Sequence, residues 1–322
     1  MKIDGKDMLK EYGLGVINSQ GILDLLKRKE ILKHEWSDRN GSDYFVEKDD
    51  IYFEQRTIRL ECFIVADSNT QLQNRIQQIS HLLDKPLLRT FDFQNIEKPY
   101  LLYPKTSADI SPLTHGIRTG KNIAKFTLEL IEPEPVHPYI IVQDVSASEM
   151  VQISIQMVSP GKARIYWGDG ETALCSSSSL TAYPHIYKNA GTYKISFVGD
   201  YDLIYKITAG NIKYAGNVDN ILKTLKAGNT INFAGASMTG YNGGVIQKNI
   251  ATLNFNQCNF ATSDDVNRIL RALINDGTYV LAERPSAMTI YLDGTGMPEC
   301  TDWDAYDTLS YDHEVYVNGT HP

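Results

Sequence analysis

The stretch from Thr57 to Leu83, TIRLECFIVADSNTQLQNRIQQISHLL, changes its hydrophobic period part-way along, and this constrains the fold more than any other feature of the chain. Ile58, Leu60, Cys62 and Ile64 alternate with Thr57, Arg59, Glu61 and Phe63, the pattern of a strand with one apolar face. Asp67-Ser68-Asn69-Thr70 then supplies residues that favour helix N-caps. Leu72, Ile76, Ile79 and Leu83 recur at helical spacing while Gln73, Asn74, Gln77 and Gln78 face away. Pro86 disfavours helical geometry at Lys85, so the helix stops near Asp84. A half-buried strand feeding one amphipathic helix predicts a helix laid across a sheet.

The flanking sequence predicts more strands. Gly15 to Asn18, Leu87 to Phe93 and Pro99 to Pro104 are short strand-like pieces, and Tyr44 to Phe53 leads into the strand at Thr57. Gly21 to Leu26 is followed by the charged run Lys27-Arg28-Lys29-Glu30, read as a solvated loop. His34 to Gly41 reads as a strand end entering a turn, because Asn40-Gly41 favours a tight reversal. After a polar loop from Lys105 to Lys121, Ala124, Phe126, Leu128 and Leu130 alternate with Lys125, Thr127 and Glu129. Pro133 and Pro135 bar a continuing central strand and make a stiff exit, which sets a domain boundary at residue 135.

A chain of 322 residues is long enough for two or three cores. Its net charge of −8 is uneven: 19 Lys/Arg stand against 21 Asp/Glu up to Pro135, leaving 12 against 18 beyond it. Neither part offers a basic surface, so nucleic acid is not an expected partner. No apolar run follows Met1-Lys2-Ile3-Asp4, which predicts synthesis in a cytoplasm without a secretion signal. No stretch is long and apolar enough to predict membrane insertion. Cys62, Cys175, Cys258 and Cys300 are far apart and are read as reduced thiols.

Taken together, the basic-flanked opening, LECFIVADS with its single helix and the closing FTLELIEPEP resemble the N-terminal domain of phage distal tail proteins, over about residues 1–135. The resemblance implies a β-sandwich-like fold with one helix. It also implies a homohexameric ring of this chain at a tail tip, other phage tail proteins as partners, and a place in the virion.

The second part opens with strand-like Tyr139 to Val145 and Val151 to Met157. Trp167-Gly168-Asp169-Gly170, then His185 and Tyr187, then Gly191-Thr192-Tyr193 are similar to the PKD domain, an immunoglobulin-like β-sandwich, over about residues 136–203. The residue chemistry agrees: Trp167 can fill the space between sheets, Gly168-Asp169-Gly170 can reverse the chain, and Tyr187 and Tyr193 can bury their rings. Trp167, Gly168, Asp169, Gly170, His185, Tyr187, Gly191 and Tyr193 are therefore expected to be structural. Asp169 and Glu171 are read as turn and surface carboxylates, because no ligand cluster accompanies them. The run Cys175 to Thr181 is read as a flexible connection, with display of hydroxyls to a sugar as the lesser alternative.

From residue 204 to 322 the pattern becomes short strands at Ile207–Ile212, Thr230–Phe233, Thr252–Phe255, Met288–Leu292 and Val315–Val317. A weak helical stretch spans Val218 to Leu225. A clear one carries Val266, Ile269, Leu270 and Leu273, capped at Thr262 to Asp265 and stopped at Asn275-Asp276-Gly277. One strand per turn resembles a degenerate leucine-rich-repeat solenoid, with INFAGASM and LNFNQCNF as the best internal match. Cys258 and Asn259 are expected to point inward. The predicted fold class is thus mainly β with some α.

The sequence holds no GxSxG elbow, HExxH, phosphate-cradling loop or dinucleotide fingerprint. No catalytic residue, metal or cofactor is expected. The expected function is a structural tail-tip component whose outer modules meet a partner protein or host-surface glycan. A secreted bacterial adhesin is the alternative. A glycan-processing enzyme would need a pair of carboxylates that no segment singles out.

Overall fold

In the computed structural model, residues 1–30, 33–44, 51–105, 110–113, 120–209, 214–215, 219–236, 238, 240–275 and 281–322 are described. The fold is mainly β with some α. The chain divides into two compact units, Met1–Val136 and His137–Pro322.

The first unit contains β1 (Lys2–Ile3), β2 (Lys6–Asp7), α1 (Met8–Tyr12), β3 (Leu14–Gln20), β4 (Lys33–Glu35), β5 (Ser42–Tyr44) and β6 (Arg56–Ala66). It continues with α2 (Asn69–Leu83), β7 (Arg89–Asp92), β8 (Tyr100–Pro104), β9 (Ser111–Leu113) and β10 (Asn122–Glu132). An eight-stranded sheet runs β2-β1-β7-β8-β10-β6-β3, with β9 also on β10, while β4 and β5 form a separate hairpin. The two predicted alternating strands form its centre: β6 and β10 pair antiparallel from Arg56↔Glu132 to Ala66↔Asn122 without a break. Their apolar positions, Ile58, Leu60, Cys62, Ile64, Ala124, Leu128 and Leu130, are buried, as alternation requires. One core gathers these with Leu102 on the neighbouring β8 and with Ile3 and Phe91 toward the other end of the sheet.

Helix α2 begins where the cap signal sits: Ser68 Oγ accepts from the Gln71 amide at 3.1 Å, and Gln71 reaches back to the Asp67 amide at 2.6 Å. It buries Leu72, Ile79, Leu82 and Leu83. The short α1 had no predicted counterpart, yet its ends are chemically marked. Asp7 accepts from the Leu9 and Lys10 amides at 3.0 and 3.1 Å, and Gly13 closes it at φ 63°, a left-handed conformation natural to glycine. Within the predicted Tyr44–Phe53 segment, residues 45–50 lie outside the described residues.

The second unit contains β11 (Tyr139–Val145), β12 (Met150–Met157), β13 (Ala163–Tyr166), β14 (Thr172–Cys175), β15 (Thr181–Ile186), β16 (Gly191–Gly199), β17 (Ile204–Thr208) and β18 (Tyr214–Ala215). There follow α3 (Asp219–Thr224), β19 (Thr230–Asn232), β20 (Thr252–Asn254), α4 (Ser263–Asn275), β21 (Thr289–Leu292), α5 (Trp303–Ser310) and β22 (Glu314–Val317). One sheet runs β14-β13-β16-β11-β18 and the other β15-β12-β17-β19-β20-β21-β22. The second sheet changes character at β17, which is antiparallel to β12 but parallel to β19. The expected division at residues 203/204 thus falls inside one unit, because β17 stitches the antiparallel strands to the parallel ones. A single core runs from Ile153, Ile165, Trp167 and Phe197 to Leu253, Ile290 and Val315.

Parallel strands need crossovers. Helices α3, α4 and α5 supply three of the four among the described residues, and Leu222, Leu270 and Leu309 on them are fully buried in the same core. The crossover from β19 to β20 is irregular. The pieces INFAGASM and LNFNQCNF stack in register, Ile231 on Leu253 and Asn232 on Asn254. Cys258 is buried and its Sγ lies 3.1 Å from the Phe233 carbonyl oxygen, whereas Asn259 is exposed, contrary to expectation, because successive residues there turn to opposite sides.

Candidate functional site

Two features of the second unit bring chemistry-bearing side chains together. The first is the cluster at the WGDG turn. Gly168 and Gly170 adopt φ of 87° and 93°, and a Cβ at Gly168 would stand 2.8 Å from the Lys194 carbonyl oxygen. Only glycine fits there. The turn delivers Trp167 inward and Asp169 toward β15. The Trp167 and His185 rings stack at 4.8 Å and 11°, His185 meets Tyr187 edge-on at 4.6 Å, and Tyr187 stacks on Tyr193 at 3.9 Å. Tyr187 donates to the Trp167 carbonyl at 2.9 Å, and Tyr193 to that of Asn189 at 2.7 Å. Gly191, itself half-buried, opens β16 two residues before the buried Tyr193. Each buried hydroxyl is thereby satisfied at the end of an apolar ring.

His185 Nε2 lies 2.8 Å from Asp169 Oδ2, and its Nδ1 lies 4.0 Å from Glu171 Oε2, with the side chain only 6% exposed. Glu171 is also paired with Lys188 at 3.0 Å. Both imidazole nitrogens therefore face carboxylates, and neither is presented to a third group. The arrangement ties the WGDG turn to β15; it does not offer a nucleophile and base to a substrate.

Burial works against the charged form of Asp169, but the His185 hydrogen bond and the Glu171 amide outweigh it and hold the carboxyl below its usual range. A depressed carboxylate stabilises the fold above the unfolded-state value, about 3.9, and this contribution is lost as pH falls through the folded-state value. Asp169→Asn is expected to cost about 1.5–3 kcal/mol at neutral pH, a typical figure for a hydrogen bond with a charged partner. The deficit relative to the unsubstituted protein should shrink below about pH 4. Urea unfolding across pH 2.5 to 7 measures this, and a deficit independent of pH would refute it.

The second feature is the outer face of the parallel strands. The register places Thr208, Asn232, Asn254, Tyr291 and Tyr316 in one row across β17, β19, β20, β21 and β22. Lys206, Thr230, Thr252, Thr289 and Glu314 form a second row two residues away. The residues between them, Ile207, Ile231, Leu253, Ile290 and Val315, point to the core. Tyr291 and Tyr316 stack at 4.9 Å and 7°. At the N-terminal ends of these strands an open groove of about 570 Å³ is lined by Tyr205, Asn229, Lys248, Asn249, Glu283 and Pro285, among others.

Among the described residues no group of three or more His, Cys, Asp or Glu side chains is arranged to hold a metal ion. The four cysteines are free and buried, and burial pushes the Cys62, Cys175 and Cys258 thiols up to about 12. Among the described residues no helix is long and apolar enough to cross a membrane.

The chain matches no family model and no curated protein. Among solved structures it is similar to the Dit (gp 19.1) protein of phage SPP1, described as a hub of the adsorption apparatus in phages infecting Gram-positive bacteria. The identity is 13%, over 61% of this chain and 93% of that one, with a TM-score of 0.33. It is also similar to a chain of the phage p2 baseplate in its activated conformation, at 7% identity over 59% of this chain and 92% of that one, with a TM-score of 0.30. Likenesses this loose fix neither fold nor function.

Proposed function

We propose that this chain is a structural, non-enzymatic component of a phage or prophage tail tip. In this reading the first unit closes a homohexameric ring with other tail proteins as neighbours. The second unit, a PKD-like sandwich continued by leucine-rich-repeat-like turns, meets a partner protein or host surface. The observation that carries it is the unbroken pairing of β6 with β10 under α2, since these are the elements on which the distal-tail resemblance rests. The loose structural likenesses add nothing to it.

The surface chemistry of the first unit is compatible with ring closure. Strands β2 and β3 end the sheet, leaving backbone groups to pair. Near β3 several large apolar side chains are exposed: Leu9 and Ile17, then Leu23 at 81% and Leu25 at 98%. Exposed apolar groups of this kind are ordinarily covered in an assembly. A cyclic, heterologous interface joining one edge to another would cover both.

Negative-stain electron microscopy of the purified protein at high concentration, paired with its solution mass, tests the reading. Six-fold rings are expected, and Leu23→Asp with Leu25→Asp should shift the mass toward the monomer while leaving the thermal midpoint within a few degrees. A uniform monomer at every concentration would count against the ring.

A further inference from the structure

We infer that the outer row Thr208–Asn232–Asn254–Tyr291–Tyr316 is a binding face for a neutral glycan. The inference deepens the surface-binding part of the function proposed above by naming the site and the ligand class, and it does not depend on the ring.

The parallel strands are in straight register, so side chains of the row recur at the inter-strand spacing and span about 19 Å, four steps of about 4.8 Å. Parallel sheets are ordinarily covered on both faces. Here the helices pack on one face, and the residues of the row on the other are half-buried or exposed.

The polar groups of the row are already oriented. Asn232 Oδ1 accepts from the Ala234 amide at 3.1 Å, and Asn254 Oδ1 accepts from the Asn256 amide at 2.9 Å. Each carboxamide is pinned by its oxygen, which leaves its Nδ2 as a fixed donor with no partner among the described residues. At the far end the stacked Tyr291–Tyr316 pair makes a preformed aromatic platform, with Tyr316 on the terminal strand and 44% exposed. Fixed amide donors beside an aromatic ring match a sugar chain, whose hydroxyls accept hydrogen bonds and whose C–H faces stack on rings.

Charge narrows the ligand. The row contains no ionisable Lys, Arg, Asp or Glu, and the adjacent row carries Lys206 at one end and Glu314 at the other with three threonines between. The half of the chain that holds it has 12 Lys/Arg against 18 Asp/Glu, so acidic polymers and nucleic acid are repelled. With no large aliphatic side chain in the row, it also lacks the apolar centre of a protein interface.

The test is binding of the full-length protein to an array of neutral and acidic glycans, followed by calorimetry with the oligosaccharide that binds best. Asn232→Asp with Asn254→Asp keeps the oxygen that pins each turn and removes the Nδ2 donor. Tyr316→Ala removes the outer ring. Binding to neutral glycans is expected, weakened at least tenfold by either variant, with thermal midpoints near that of the unsubstituted protein. No neutral glycan bound, preference for acidic glycans, or neutral binding that both folded variants retain would each overturn the inference. Because affinity is read per subunit, rings without glycan binding would overturn this inference alone. Glycan binding by a monomer would leave it standing while the ring fell.

Discussion

Glu132→Ala is expected to destabilise the first unit by about 3–5 kcal/mol, the range for breaking a buried ion pair from one side. Glu132 is fully buried at the end of β10. Its Oε2 accepts from Arg56 Nε and Nη2 at 2.8 and 2.6 Å, and its Oε1 from Lys98 Nζ at 2.6 Å. Arg56 and Lys98 both lie over the Tyr100 ring, at 5.1 and 4.9 Å, and Arg56 and Tyr100 both donate to the Ile22 carbonyl. One carboxylate thus holds two cations and, through them, the segments around Ile22, Tyr100 and Pro135. Without it, two largely buried cations beside one ring keep only the Ile22 and Pro135 carbonyls and lose their counter-charge.

Lys98 gives this prediction a pH signature. Burial lowers its pKa even with Glu132 in place, the carboxylate only partly opposing the shift. A lysine depressed in the folded state binds fewer protons there than in the unfolded chain, so stability rises with pH between the two values. Removing Glu132 deepens the depression. The deficit of Glu132→Ala should therefore narrow as pH rises toward the unfolded lysine value, about 10.4. Lys98→Met with Glu132→Ala should cost less than the sum of the single changes. Urea midpoints of the four proteins at pH 7 and 9.5 measure this; additive costs with no narrowing would show that the triad is not coupled.

How much of this was legible depended on the length of the signal. Strands β6 and β10, at eleven residues each, and helices α2 and α4 repeat their period often enough to stand clear of neighbouring sequence. Helix α5 buries only Ala305 and Leu309, one turn of apolar signal, and α1 only Met8, so neither showed in the pattern. Asp7 and Gly13, or Asp302 with its bond to the Ala305 amide, were the marks available. Strand β9 hid in a loop predicted as polar. Glu132 lies where the strand gives way to a proline-rich exit, and nothing local marks it for burial, because its partners Arg56 and Lys98 are distant in sequence. In the candidate glycan face, every member lay in or beside a predicted strand. That they form one row follows from the parallel register, which local sequence does not encode.

Arg284 is the other residue whose weight was invisible, and Arg284→Ala is expected to cost at least about 3 kcal/mol, since several charge-assisted hydrogen bonds of about 1.5–3 kcal/mol each are lost together and incompletely replaced by water. The side chain is buried, and its guanidinium donates to Leu273 and Ala272 at 2.7 and 3.0 Å and to Gln247 and Ile246 at 3.1 and 3.2 Å. Ala272 and Leu273 belong to the last turn of α4, whose carbonyls have no partners within the helix and where a cation is favoured. Ile246 and Gln247 belong to the irregular crossover from β19 to β20. One arginine therefore ties the crossover without a helix to the end of the helix in the next crossover, bracing the turns on both sides of β20. A lysine cannot reproduce this fork, so Arg284→Lys should recover little of the loss. Because β20 carries Asn254 and β21 carries Tyr291, loosening the brace should raise hydrogen exchange in α4, β20 and β21 ahead of β13 and β16. Uniform exchange across the second unit would mean instead that Arg284 supports the core as a whole and not the spacing of its turns.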